Sequence, residues 1–431
     1  MNKKKIFIFE FVSGGGFNQV IIPSSLFCEG FGMLRSIIAD FKLLNFEISI
    51  LIDHKISFLS KYLRADYIEQ VSSQDNYIKK FKKCVKEAEF CFIIAPEFSN
   101  ILYDLTKIVK DGDKKLLSID LKGIELGTSK IKTYEFFKAN NINTPKTYLI
   151  PVKDGKLDED FIMQKFNELK SPIVIKPDDG VGAENIYYLE NKTQLSDLLY
   201  KNKVGAERIY ILQEFIEGDD LSVSLIGISN QENPIILAVN SQDINIKNTK
   251  LESEYFGGYT PVENNDQISK RIAEVLKKSD LSNFNSYFGI DFIRKKDGTL
   301  YIIEINPRLT TSYIGLKNVL NYNLVEIILI KNLKSLKSHK FGLGFHSIFS
   351  RLELRYNGNK SIYEVQEKII DKVVNEIPEI VTPPISFENV NNDLNQYSCF
   401  IATKEIDFKT SKKKMNEIIE TLKKFNFTTK L

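Results

Sequence analysis

A hairpin close to residue 300 restricts the fold more than any other feature of the sequence. The apolar runs YFGIDFIR (287–294) and LYIIEINPR (300–308) flank the turn KKDGT, and Asp-Gly between two alternating apolar runs is a strong signal for paired antiparallel strands. Because successive side chains of a strand point to opposite faces, Glu304 and Asn306 share a face. With Asp291 on the neighbouring strand, the pattern predicts that three oxygen donors converge on one side of the sheet.

These three donors have the chemistry of a magnesium site. Mg²⁺ usually binds one or two carboxylates together with phosphate oxygens of a nucleotide, and Asp291, Glu304 and Asn306 meet that need. Arg308 follows two residues later on the same face, where its planar guanidinium suits a phosphoryl or acyl-phosphate group. The alternative interpretation is a hairpin whose acids are solvated or paired with lysines, because acid-containing hairpins are common.

A second motif, SPIVIKPDDGVGAENIYYL (171–189), joins an apolar strand to a glycine-containing loop. Lys176 lies at the end of the strand, and Gly180 and Gly182 lie in the loop. This arrangement lets the lysine meet phosphates from one side while the loop amides cover them from the other. It is not a P-loop, which needs Gly-Lys-Ser/Thr at the start of a helix. The alternative is an ordinary glycine turn.

A third motif, ILQEFIEGDDLSVSLIG (211–227), consists of two apolar strands around an acidic turn. Adenine needs a flat apolar slot edged by backbone donors and acceptors, and ribose needs a carboxylate near its hydroxyls. The segment from Gln213 through Glu214 to Ile216 can form that edge, and Asp220 can supply the carboxylate. The alternative is an acidic β-turn.

The rest of the chain predicts a multidomain α/β and α+β protein, because 431 residues exceed what one hydrophobic core usually supports. Before the motifs, short apolar runs alternate with amphipathic helices, which is typical of a parallel βαβ sheet. After them lies an α+β stretch without a recognisable motif. We expect three units, at 1–122, 123–332 and 333–431. Strands are predicted at 6–11, 47–52, 90–95 and 116–119, and a helix at 34–44.

Occurring in this order, the three motifs closely resemble the ATP-grasp superfamily from Thr128 to Lys317, and the preceding βαβ region resembles the pre-ATP-grasp domain that accompanies it. The resemblance implies an ATP-grasp fold. It also implies an ADP-forming ligase that uses ATP with Mg²⁺ or Mn²⁺ and joins a carboxylate to an amine through an acyl phosphate. The residue roles that it implies are phosphate contacts for Lys130 (or its neighbour Lys132) and Lys176, a phosphate-covering loop for Gly180 to Ala183, adenine binding for Gln213, Glu214 and Ile216, ribose binding for Asp220, and metal binding for Asp291, Glu304 and Asn306.

One position departs from the superfamily pattern. Some members carry an arginine two residues before the metal aspartate, where this chain has Gly289. Either Arg308 takes over that charge stabilisation, or the intermediate is held differently. We therefore count Arg308 and Lys176 as the candidate catalytic residues.

The amino terminus carries a second resemblance. The segment FEFVSGGGFNQ (9–19) resembles a subgroup that includes the tyramine–L-glutamate ligases of methanofuran biosynthesis, which implies γ-glutamyltyramine as the product. Gly14, Gly15 and Gly16 would let the backbone approach an anionic substrate group closely. The alternative is a glycine turn that merely joins a strand to a helix.

Composition argues against several other classes of protein. Lys and Arg total 59 against 56 acids, a net charge of +3, and this balance does not favour a nucleic-acid partner. No apolar stretch reaches the length of a membrane span, and Glu10 interrupts the apolar start, unlike in a signal peptide. We expect a cytoplasmic protein with small-molecule substrates, and the sequence leaves open whether it forms a homo-oligomer. The remaining alternatives are a ligase for another amino acid or cofactor precursor, and a non-catalytic nucleotide-binding protein.

Overall fold

The N-terminal part of the chain folds around a parallel sheet. The computed structural model describes residues 3–170, 172–180, 185–200, 207–228, 233–246, 253–329, 342–387 and 395–429. The strands of this first sheet are β1 (Lys5–Glu10), β2 (Glu47–Asp53), β3 (Tyr67–Val71), β4 (Phe90–Ile94) and β5 (Lys115–Leu116). Their order is β3-β2-β1-β4-β5, and every neighbouring pair is parallel. The predicted βαβ sheet is thereby confirmed.

Three α-helices and two 3₁₀ helices connect these strands, and the second 3₁₀ helix, Phe98–Asn100, directly precedes the last of the three α-helices. The predicted helix at 34–44 is the second half of a longer one, which begins directly after Pro23, a residue that ordinarily fits only the start of a helix. The strand β3 was not predicted, because its sequence YIEQV is mostly polar and only its last residue, Val71, is fully buried. The connections are α1 (Ser24–Leu43), the 3₁₀ helix His54–Tyr62, α2 (Tyr77–Glu87) and α3 (Ile101–Asp111).

Two antiparallel sheets follow, and the predicted motifs lie on them. The first has the order β10-β9-β11-β6 and the second β13-β12-β16-β17, with the strands β6 (Thr147–Leu149), β9 (Ile173–Pro177), β10 (Tyr187–Leu189), β11 (Tyr210–Glu214), β12 (Asp219–Ile226), β13 (Ile235–Ser241), β16 (Tyr287–Arg294) and β17 (Leu300–Asn306). A small hairpin pairs β7 (Val152–Lys153) with β8 (Lys156–Leu157). The helices are α4 (Leu121–Thr128), α5 (Lys130–Ala139), α6 (Glu159–Leu169), α7 (Lys192–Tyr200) and α8 (Asn265–Leu276).

A six-stranded antiparallel sheet completes the fold. It contains β14 (Asp243–Asn245), β15 (Glu254–Thr260), β18 (Ser347–Tyr356), β19 (Ile380–Ile385), β20 (Gln396–Ala402) and β21 (Phe427–Thr429), in the order β14-β15-β18-β20-β19 with β21 beside β18. Its accompanying helices are α9 (Ser312–Val319), α10 (Leu324–Leu329), α11 (Ile362–Lys368), α12 (Ile370–Glu376) and α13 (Phe408–Lys424). Among the described residues, none of the helices combines the length and apolar character needed to cross a membrane.

The last sheet links parts of the chain that the sequence divides at 332/333. Strand β15 pairs with β18 from Gly257 opposite Ser350 to Thr260 opposite Ser347. One hydrophobic core also extends from the parallel sheet through the β12–β17 sheet to Phe349. The division into 1–122, 123–332 and 333–431 remains a prediction, because pairing between distant strands carries no local sequence signal.

Candidate active site

The predicted hairpin carries two facing carboxylates. Asp291 on β16 pairs directly with Glu304 on β17, and Gly289 pairs with Asn306, so the three oxygen donors lie on one face of the sheet. Asn306 Nδ2 donates to Asp291 Oδ2 at 2.9 Å. Gln242 Nε2 donates to the other oxygen, Asp291 Oδ1, also at 2.9 Å. These two amides fix the orientation of the Asp291 carboxylate.

Two buried lysines surround Glu304. Lys130 Nζ lies 3.4 Å and Lys176 Nζ 3.8 Å from Glu304 Oε2, and the lysines are only 7% and 5% exposed. Burial lowers the pKa of Lys176. Burial acts to raise the pKa of Glu304, but the charges of the two lysines outweigh it, so that this pKa is lowered. Glu304 is therefore an anion held between two cations.

The hairpin fits a divalent cation. Burial, and then the negative charge of Glu304, raise the pKa of Asp291, because two close carboxylates repel each other in a desolvated site. Glu304 Oε2 is buried and has no hydrogen-bond partner among the described residues. A hard cation that binds oxygen ligands would relieve the repulsion and satisfy that oxygen. Asp291, Glu304 and Asn306 thus match the donor set that Mg²⁺ takes beside phosphate oxygens.

The structure distinguishes the two candidate lysines of α5. Lys130 Nζ donates to the carbonyl oxygen of Gly180, at the start of the glycine loop, at 2.7 Å. Lys132 is exposed on the same helix. The geometry favours Lys130 over Lys132 for the phosphate role, which stays a prediction, because Lys130 is the lysine that reaches the acidic hairpin. Gly182 lies outside the described residues.

The predicted nucleotide edge borders a cavity of about 230 Å³. Gln213 is buried, and its Nε2 donates to Thr147 Oγ1 at 2.9 Å, which ties β11 to β6. Apolar side chains, among them Phe215 and Phe292, also line the cavity, and an adenine slot requires an apolar lining. The cavity brings together nine of the predicted site residues, namely Lys176, Gln213, Glu214, Ile216, Asp220, Asp291, Glu304, Asn306 and Arg308.

Arg308 lines this cavity but is already paired. Its Nε lies 2.9 Å from Glu97 Oε1 and 3.0 Å from Glu97 Oε2, and Nη1 donates to the carbonyl oxygen of Leu309 at 3.1 Å. The side chains of Arg308 and Glu97 are only 14% and 6% exposed. Burial acts to lower the pKa of Arg308, and the Glu97 charge more than offsets it, so that the pKa is raised. Glu97 comes from the N-terminal part, so the guanidinium is held across two parts of the fold.

The space beside Gly289 explains the departure from the superfamily pattern. A Cβ atom at Gly289 would lie 2.8 Å from Thr310 Cγ2, closer than real Cβ atoms approach. The Thr310 hydroxyl lies 2.9 Å from Tyr287 Oη and 2.8 Å from Ser312 Oγ. Neutral hydroxyls therefore fill the place beside Asp291, and Arg308 lines the same cavity.

The structure does not bring the three glycines of the N-terminal loop into the cavity wall. A Cβ atom would lie 2.5 Å from the Phe9 ring at Gly14 and 2.4 Å from the Phe11 ring at Gly16, and Gly15 has a φ of +97°. Tight packing and a left-handed backbone thus account for all three glycines. The predicted substrate role of Gly14, Gly15 and Gly16 finds no support in the residues that line the cavity.

Four polar residues of the site were not predicted. Glu10 ends β1 and Glu97 follows β4, so both lie at carboxyl ends of neighbouring parallel strands, where open α/β sheets place their ligands. That signal was present in the sequence. Gln242 and Glu29 had no such signal, because their partners are 49 and 282 residues away.

Comparisons with known proteins agree with this geometry. A family model described as an ATP-grasp domain matches residues 128–312, and one described as a pre ATP-grasp 3 domain matches residues 47–124. Tyramine–L-glutamate ligase of Methanocaldococcus jannaschii is 30% identical over 332 residues, which cover 76% of this chain and 88% of that protein.

Solved structures share the fold at lower identity. The L-amino acid ligase from Bacillus licheniformis is 14% identical with a TM-score of 0.63, and the match covers 100% of this chain and 99% of that one. The biotin carboxylase domain of Hydrogenobacter thermophilus 2-oxoglutarate carboxylase, solved with MgADP and bicarbonate, is 14% identical with a TM-score of 0.67, over 99% and 90% of the two chains. With the family models and the tyramine–L-glutamate ligase relative, the chain belongs to the ATP-grasp family and is an ADP-forming ligase that joins a carboxylate to an amine.

Proposed function

We propose that this ligase joins the side-chain carboxylate of L-glutamate to tyramine and forms γ-glutamyltyramine. The observation that carries the choice of substrates is the 30% identity to a tyramine–L-glutamate ligase, over 88% of that protein's length. The ATP-grasp family model, which matches residues 128–312, includes the acidic hairpin. Substrate choice is therefore proposed for the same site that handles the nucleotide.

In this proposal the ATP-grasp part holds the nucleotide. Asp291, Glu304 and Asn306 would hold Mg²⁺, which would neutralise charge on the phosphates. Lys130 and Lys176 contact phosphate oxygens, and they do so as buried cations in a poorly solvated site, where their charges are weakly screened. The segment from Gln213 to Ile216 edges the adenine slot, and Asp220 binds the ribose.

The reaction needs no nucleophile from the protein. A carboxylate oxygen of glutamate attacks the γ-phosphorus of ATP, the bond to the β-phosphate oxygen breaks, and ADP leaves. The amine, once its ammonium form has lost a proton to solvent, attacks the acyl carbon with its nitrogen lone pair. The bond to the phosphate oxygen breaks, and inorganic phosphate leaves with the second proton of the nitrogen. Arg308, aligned by Glu97, stabilises negative charge on the acyl phosphate. Positioning and charge neutralisation supply the rate enhancement.

An amine-dependent ADP assay tests the proposal. Purified protein is incubated with ATP, Mg²⁺, L-glutamate and tyramine, and ADP and product are measured by mass spectrometry against synthetic α- and γ-glutamyltyramine. We expect ADP and the γ isomer in equal amounts. Formation of the α isomer, or no ADP above the reactions lacking one substrate, would refute the proposed substrates.

A panel of acids and amines tests the alternative that another amino acid or a cofactor precursor is the substrate. In each reaction one of the two substrates is replaced while the other is kept. A kcat/KM at least about tenfold higher for another pair would assign the enzyme to that pair, since tenfold corresponds to about 1.4 kcal/mol of transition-state binding. As a control, the same panel is run with the variant Glu69→Gln. Glu69 pairs with Lys83 on the surface of the N-terminal part, so this variant should prefer the same substrates as the wild type.

A further inference from the structure

The cavity extends beyond the acidic hairpin into the N-terminal part of the chain. Leu26, Glu29, Gly30 and Met33 of α1 line it, and their spacing of three and four residues places them on one face of the helix. Val12, after β1, and the segment from Ile94 to Pro96, after β4, complete an apolar wall. This end of the cavity therefore combines an apolar surface with a small number of carboxylates.

The carboxylate of Glu29 is held by a residue that follows the acidic hairpin in the sequence. Thr311 Oγ1 donates to Glu29 Oε2 at 2.6 Å, and Thr311 lies five residues after Asn306 in the sequence. The charges of Glu29 and Asp291 both add to the effect of burial in raising the pKa of Tyr255, which lines the cavity as well. Glu29 is thus near the acidic hairpin while it belongs to the apolar end.

A second carboxylate lies beside it. Glu10 accepts hydrogen bonds from the backbone N–H groups of Val12 at 3.0 Å and Ser13 at 2.7 Å, and it is 3% exposed. A Cβ atom at Gly30 would lie 2.6 Å from Glu10 Oε1, so only glycine lets the helix pack this closely. Glu97, the third acid of this region, is neutralised by Arg308.

These charges select the kind of substrate that this end can accept. A substrate carboxylate placed here would be desolvated next to Glu29, and like charges in a desolvated site repel strongly. An ammonium group has the opposite charge, and an apolar body attached to it would bury its surface against Leu26, Met33 and Pro96. The chemistry of the wall matches a cationic amine with an apolar or aromatic body.

We propose that this end of the cavity is the subsite of the acceptor amine, and that Glu29 is the specificity-determining residue that binds its ammonium group. The inference rests on the proposed function, since it assigns one of the two substrates of that reaction to a place in the cavity. The activated carboxylate then lies between this subsite and the acidic hairpin. Burial raises the pKa of Glu10, and its two backbone hydrogen bonds hold it in place.

A binding experiment tests the subsite without relying on turnover. Tyramine is titrated calorimetrically into the full chain with saturating ADP and Mg²⁺, and 4-(2-hydroxyethyl)phenol, which carries a hydroxyl in place of the amine, is titrated in parallel. We expect the amine to bind at least about tenfold more tightly than the alcohol, and Glu29→Gln to remove most of that preference. Glu69→Gln should keep it. Equal binding of amine and alcohol to the wild-type protein, or an unchanged preference in Glu29→Gln, would overturn the proposal.

Turnover with two acceptors separates this proposal from the proposed function. Hydroxylamine traps an activated carboxylate as a hydroxamate and is too small to reach the apolar wall. In Glu29→Gln we expect the ratio of tyramine ligation to hydroxamate formation to fall at least about tenfold, mainly through KM for tyramine. A rise in KM for glutamate instead would show that Glu29 binds the α-ammonium of glutamate, which contradicts the proposal. If wild-type protein forms no glutamyl hydroxamate, the proposed function fails, whereas the calorimetric preference still decides the subsite.

A control separates binding from a structural role of Glu29. Glutamine keeps an oxygen that accepts the Thr311 hydroxyl, so Glu29→Gln should leave the urea midpoint close to that of the wild type. Glu29→Asp keeps the charge at a shorter reach and should restore part of the amine preference. A large loss of stability in Glu29→Gln, with the amine preference intact, would assign the carboxylate to packing alone.

Discussion

The buried pair of Glu97 and Arg308 is the contact that links the N-terminal part to the acyl-phosphate end of the site, and it gives a quantitative prediction. Replacing Glu97 by Gln keeps the size of the side chain and removes its charge. Arg308 is then left without its nearest anion in a position where its side chain is 14% exposed. Removing one partner of a buried ion pair typically costs about 3–5 kcal/mol.

The surroundings of Arg308 place the expected loss of stability at the lower end of that range. The charges of Glu29 and Asp291 also act on Arg308, and Leu309 still accepts one of its N–H groups. We therefore expect Glu97→Gln to lower the free energy of unfolding by about 3 kcal/mol. We also expect kcat to fall at least about tenfold, because a guanidinium without its partner no longer holds one orientation.

Urea unfolding and steady-state kinetics measure the two effects. The matched control is Glu69→Gln, in which the partner Lys83 is 59% exposed, and we expect a loss below about 1 kcal/mol. The double variant Glu97→Met with Arg308→Met removes both charges, and it should be more stable than either single variant and still inactive. A loss for Glu97→Gln no larger than that of the surface control would refute the reasoning, and so would a kcat equal to that of the wild type.

Other parts of the site give further predictions. Glu304→Gln should reduce ADP formation at least about a hundredfold while circular dichroism still shows a folded protein, and an unchanged rate would remove Glu304 from the metal site. Lys130→Met should weaken ATP binding at least about tenfold and Lys132→Met should not, as measured by nucleotide titration; equal effects would contradict the placement of Lys130. Gly289→Ala should lower the free energy of unfolding by about 1–3 kcal/mol through overpacking, and an unaltered urea midpoint would show that the site can relax. Deleting 333–431 should give insoluble protein, and a soluble, cooperatively folded remainder would contradict the pairing of β15 with β18.

The predictions from the sequence were most accurate where a single local element determines the geometry. Asp291 and Glu304 were placed on one face because strand alternation and a short turn fix that geometry within some twenty residues. The pairing of these two residues is confirmed. The ATP-grasp fold is confirmed as well, since its three motifs occur in a characteristic order.

Long-range partners were the part that sequence did not predict. Arg308 was expected as an available cation, but Glu97, 211 residues earlier, neutralises it. Residues 254–260, which fall in the unit expected at 123–332, form strand β15, a strand that was not predicted, and it pairs with β18. In both cases the partner is determined by which surfaces meet in three dimensions, and no periodicity of a single segment carries that information. The glycine loop shows the opposite case. Aromatic rings pack directly against Gly14 and Gly16, which is a local reason for glycine that the sequence pattern did not distinguish from a substrate-binding role.

The distribution of charge explains why the cavity needs both parts of the chain. The ATP-grasp part contributes Lys176 and the acidic hairpin to the cavity, and the N-terminal part contributes Glu10 and Glu29. Under the proposed function and the proposed amine subsite, one cavity thus holds groups for the nucleotide, the carboxylate and the amine. Reactants held in one cavity are already positioned for the two successive attacks, and this positioning replaces the loss of translational freedom that the same encounter would require in solution.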